Sequence, residues 1–88
     1  SLDVDRRLWR QDVHGSRAWV RALVGAGVLS PPEGDVLDEG LGRVAERLEA
    51  SGPAAFDEAP DEDVHSLIER LLYEEVGEVV EQRVEQRP

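Results

Sequence analysis

Apolar residues recur along this chain at three- and four-residue steps, and nowhere do they alternate, so the pattern predicts helices and no strand. In the first segment Val4, Leu8, Ala18, Trp19, Ala22 and Leu23 fall on one side of a helix, and Trp9, Val13, Val20 and Val24 widen that side. The opposite face carries Arg7, Arg10, His14, Arg17 and Arg21 as a basic stripe, expected to be solvated, and Gly27 is placed as the C-terminal stop. Ser30 and Glu33 then have capping-box spacing with Pro31 between them, so a second helix should start there. Its core line is Leu37, Leu41, Val44 and Leu48, and Gly52 with Pro53 ends it. A short turn between the two predicts an antiparallel hairpin.

Residues 51–60 read as a loop that tucks Phe56 inward. Beyond Pro60 the carboxylates of Asp61, Glu62 and Asp63 suit the positive end of a third helix. Val64, Leu67, Ile68, Leu71 and Leu72 form its buried stripe. Gly77 weakens that helix, and Val80 and Val84, stepping by four, drift away from the stripe toward a frayed or partner-dependent final turn. The fold class expected is therefore all-α, a helical hairpin plus a third helix.

Length and charge narrow the picture. Eighty-eight residues make one domain with a thin core, and the absence of cysteine leaves neither disulfides nor thiolate metal sites to reinforce it. A net charge of −10 argues against non-specific binding to nucleic acid. No apolar run is long enough to span a membrane and no basic-then-apolar leader opens the chain, so a cytoplasmic location is expected.

Two stretches are more specific than these patterns, "QDVHGSRAW" (Gln11 to Trp19) and "DEDVHS" (Asp61 to Ser66). With their surroundings from Ser1 to Gly77 they resemble the N-terminal region of argininosuccinate lyase, of the fumarase and aspartase superfamily. Such lyases eliminate fumarate from argininosuccinate in a mostly helical homotetramer whose active sites draw on three chains, and the resemblance implies no cofactor. It also implies that Ser1 touches substrate and that Asp63 and His65 lie in or beside the pocket. Residues 1–77 are accordingly read as the lyase-like domain and 78–88 as a tail outside the family pattern, with Val-Glu-Gln-Arg standing twice in it. Where the family continues into a substrate-binding stretch this chain reads "EVVEQRVEQRP", and the later catalytic segments are absent. The expectation is a piece of a larger enzyme without lyase activity of its own.

The remaining chemistry centres on two histidines. His65 stands four residues from both Asp61 and Glu69, a set that could ligate a divalent metal such as zinc if a symmetric dimer completed it, with His14 as an outer candidate; a metal-dependent hydrolase is thus the alternative function. The plainer reading is a His65 hydrogen-bonded to Glu69. Asp12 and Ser16, four apart, are expected to hydrogen-bond each other or the backbone. Trp9, Trp19, Phe56 and Tyr73 suit packing or interface anchoring better than base stacking. Exposed apolar surface is expected along Leu67, Leu71 and the valines of the first helix. Covering it calls for a homo-oligomer, most simply a dimer forming an intersubunit bundle, or for docking onto intact lyase subunits.

Overall fold

The computed structural model describes residues 9–51 and 64–86. They form three helices, α1 (Trp9–Gly25), α2 (Pro31–Ser51) and α3 (Val64–Glu85), with no strand among the described residues. The all-α hairpin-plus-helix expectation holds.

Local chemistry sets the α1–α2 junction. Gly27 adopts φ +79°, which a side chain would strain, and this lets the chain reverse. Its N–H donates to the Val24 carbonyl at 3.0 Å while the Val28 N–H donates to that of Leu23 at 2.9 Å, so the last carbonyls of α1 are capped in a Schellman pattern. Three residues later the Glu33 N–H donates to Ser30 Oγ at 3.2 Å, and the Ser30 N–H donates to Glu33 Oε1 at 2.8 Å. The capping box satisfies two donors that the first turn of α2 would otherwise leave open. These bonds hold the Glu33 carboxyl below the usual range, the Ser30 N–H contributing most.

Helix α2 is the centre of the bundle and packs along both neighbours, while α1 and α3 meet over a shorter length. Its Leu41, Val44 and Leu48 are almost completely buried, together with Trp9, Val13 and Val20 of α1 and Val64, Leu67, Ile68 and Leu71 of α3. No polar or charged side chain is buried among the described residues, and no buried side-chain polar atom there lacks a partner. Gly40 makes the α2–α3 approach close: a Cβ at that position would stand 3.0 Å from Leu72 Cδ1 and 3.0 Å from Val76 Cγ2. Pairs such as Arg10 with Glu49 and Arg43 with Gln82 show each neighbouring pair to be antiparallel, so α1 and α3 run in the same direction.

Two expectations about faces are corrected. Ala18, Trp19 and Ala22, read as central to the α1 core side, face solvent, with Trp19 65% exposed. The buried line is instead Trp9, Val13 and Val20, which bulky and β-branched side chains fill where alanines would leave space. The apolar surface expected along Leu67, Leu71 and the α1 valines is likewise largely interior, with Val13 and Val20 buried and Val24 half-buried; among the described residues the exposed large apolar ones are Trp19, Val28, Tyr73, Val80 and Val84. Helix α3 runs unbroken through Gly77 to Glu85. Val80 and Val84 do leave the core face, but Val79 turns fully inward and fastens this half of α3 to the bundle. Phe56 lies outside the described residues.

Candidate functional site

His65 opens α3 and is the residue on which both sequence readings converge. Its position in the first turn brings it beside α1, where Asp12 Oδ2 stands 3.4 Å from Nδ1. One turn further along α3, Glu69 Oε1 stands 2.7 Å from Nε2. The Glu69 contact is the one expected from the four-residue spacing. The Asp12 contact is not legible in sequence, where the four-residue spacing pairs Asp12 with Ser16 or the backbone, because the packing of α1 against α3 decides it. A neutral imidazole can donate to only one of these carboxylates, whereas an imidazolium donates to both.

The arrangement is a row, one carboxylate on each ring nitrogen, and it lies open to water, the His65 side chain being 61% exposed. Both ring nitrogens, the atoms through which an imidazole can ligate a metal, thus face carboxylates. No group of three His, Asp or Glu side chains among the described residues is arranged to hold a metal ion. His14, the outer candidate, stands elsewhere: it lines an open groove between α1 and α2 of about 400 Å³, with Trp9, Arg10, Arg17 and Glu49. Ser1, Asp61 and Asp63 lie outside the described residues.

The basic stripe of α1 is largely solvated, as expected for His14 and Arg21, but Arg17 and Arg10 also clasp α2. Arg17 donates from Nε to Asp38 Oδ1 at 2.8 Å and from Nη2 to Oδ2 at 2.9 Å, a bidentate fork across the α1–α2 interface. This fork lowers the Asp38 carboxyl below its ordinary range and raises the Arg17 guanidinium. Arg10 pairs with Glu49 and lies over the Trp9 ring, 4.7 Å from its centroid. On the other side of α2, Arg47 Nη1 donates to Glu74 and Glu75, each at 3.0 Å, and the pair raises its guanidinium. Arginines therefore stitch α2 to both neighbours along the rims of an apolar core. Their alternation with carboxylates three and four residues apart was the available signal; their partners were not.

Comparison with known proteins explains the two specific stretches. Over 79 residues, 90% of this chain, it is 46% identical to the argininosuccinate lyase of Chlamydomonas reinhardtii and 47% identical to that of Desulforudis audaxviator. The lyase of Pseudoalteromonas atlantica is 43% identical over the same length. The chain spans only 16 to 17% of the length of these relatives. No family model and no solved structure matches it. Over nine tenths of its residues the chain is thus similar to one segment of argininosuccinate lyase.

Proposed function

We propose that this chain is a helical module of argininosuccinate lyase descent that acts by packing against other protein surfaces and does not cleave argininosuccinate by itself. The observation that carries the reading is the combination of strong identity with a small share of the lyase, 90% of this chain against 16% of the relative. Elimination requires a base, an acid and a stabiliser for the developing anion in one geometry. The described residues offer one titratable row, Asp12–His65–Glu69, with its imidazole already occupied. Exposed Trp19, Tyr73, Val80 and Val84 supply apolar surface for packing.

Within a complete lyase, the resemblance of "DEDVHS" to the family implies that Asp63 and His65 would lie in or beside the substrate pocket and that Ser1 would touch substrate. In that setting the Asp12 contact would orient the His65 ring from α1. The reading is tested by incubating the purified chain with argininosuccinate and following fumarate release, together with elemental analysis and an activated-ester assay. Expected are no fumarate above background and no zinc-dependent hydrolysis. Fumarate release, or stoichiometric zinc with ester hydrolysis abolished by His65→Ala, would overturn it.

A further inference from the structure

Helix α3 is apolar on two opposite faces, and its own fold uses one. Leu67, Ile68, Leu71 and Val79 turn into the bundle, while Tyr73, Val80 and Val84 are 85%, 45% and 58% exposed. Tyr73, Gly77, Val80 and Val84 step by four, three and four, the rhythm of a coiled-coil seam. At ~3.6 residues per turn they fall within about 60° of one another, across the helix from the core. An amphipathic helix paired on one side has no need of such a second stripe.

Charge selects what can lie on it. One flank of the seam is acidic, formed by Glu74, Glu78, Glu81 and Glu85. Glu74 is engaged by Arg47, whereas Glu78, Glu81 and Glu85 have no partner among the described residues. A second α3 on this seam would bring Glu74 against Glu81 in an antiparallel pairing and Glu69 against Glu74 in a parallel one, and both juxtapositions repel. An occupant with a basic flank suits this seam better.

The outer face of α1 carries one. Across from its buried line lie Ala18 and Ala22, with exposed Trp19 on one flank and exposed His14 and Arg21 on the other. Arg21 reaches Asp38 only at 4.0 Å, while Arg17 holds both oxygens of that carboxylate. Handedness then fixes direction. Turning around each helix in the same sense, the carboxylates follow the α3 seam, while His14 and Arg21 precede the Ala18–Ala22 line. Two parallel helices face to face place the following flank of one against the preceding flank of the other. Parallel docking therefore sets Glu81 and its neighbours beside Arg21 and His14, and Trp19 beside the Val76 side of the seam. Antiparallel docking would set the carboxylates on Trp19.

We infer that a second copy of this chain covers the α3 seam with the outer face of its α1, the two helices parallel. This rests on the packing role proposed above and names its partner and surface. The contact is heterologous, joining different faces of the two copies, so repeated it builds a ring or an open chain of copies.

The test uses two variants, each disabling one face at exposed positions. V80K/V84K removes the seam and W19E/R21E removes the α1 face, with circular dichroism checking that both stay helical. By light scattering behind a size-exclusion column, the unmodified chain should associate, each variant should run as a monomer, and an equimolar mixture should form one-to-one pairs. Association of W19E/R21E alone, or a mixture that stays monomeric, overturns the interface. An unmodified chain that is monomeric throughout overturns the packing role as well, whereas an oligomer that both variants retain overturns the interface only. Should either double variant lose its helices, Arg21→Glu and Glu81→Arg replace them. Each should weaken association at least about tenfold, and mixing the two should restore it. Failure to restore it overturns the interface.

Discussion

The α1–α2 hairpin closes on itself through its own turn. Gly27, the Schellman bonds and the Ser30–Glu33 box reverse the chain within a few residues, and the Arg17–Asp38 fork then ties the two helices side by side. Helix α3 is held differently, by length of contact. It lies against α2 from Val64 to Val79, it approaches through the gap above Gly40, and its other apolar face meets water. The hairpin is thus specified by local bonds that cost little loop entropy. The seating of α3 depends on complementary surfaces, which is why the same helix can offer a second one to a partner.

The largest effect should come from the residue that serves both halves. Leu48 is 1% exposed within the shared core, and Leu48→Ala should cost about 3 kcal/mol, a large part of what a domain this small possesses. Urea unfolding followed by helicity should show one transition moved to lower denaturant for the whole molecule. Two separated transitions would mean that α1–α2 folds independently of α3, and would sharpen the contrast into two units. Next comes Gly40→Val, which acts on the α2–α3 approach alone. Its side chain would collide with Leu72 and Val76, and about 1–3 kcal/mol should be lost. Hydrogen exchange should then rise in α3 more than in α1; an equal rise in both would refute the division drawn here.

The same contrast governs what was legible in the sequence. Boundaries carried by local chemistry could be read directly: Gly27 as a stop, Ser30 and Glu33 as a start, and the four-residue bond from His65 to Glu69. Rotations of helices about their own axes could not. Helix α1 offers two apolar sides, one with Trp9, Val13 and Val20 and one with Ala18, Trp19 and Ala22, and periodicity alone does not rank them. Packing ranks them, because the first side also brings Arg10 and Arg17 to the carboxylates of α2. The Asp12–His65 contact depends on that rotation and was hidden with it. Val79 is not legible for a related reason: Gly77 reads in sequence as a weak point, whereas the helix continues through it and places Val79 on the core side.

The smallest effect concerns the clasp of the hairpin. The Arg17 fork holds the Asp38 carboxyl below its ordinary range, so the folded state binds a proton there less readily than the unfolded chain does. A depressed carboxylate contributes stability that is fully present above the unfolded value and is lost as pH falls through the folded one. The loss should begin near pH ~4, the unperturbed aspartate range, and deepen below it. Both side chains are 36% exposed, so solvent screening keeps the contribution within about 1 kcal/mol. Asp38→Asn should therefore lower stability slightly at neutral pH and remove this part of the acid dependence, bringing the two unfolding curves together at low pH. Curves that stay parallel from neutral to acid would show that the fork aligns α1 on α2 without linking its stability to protons.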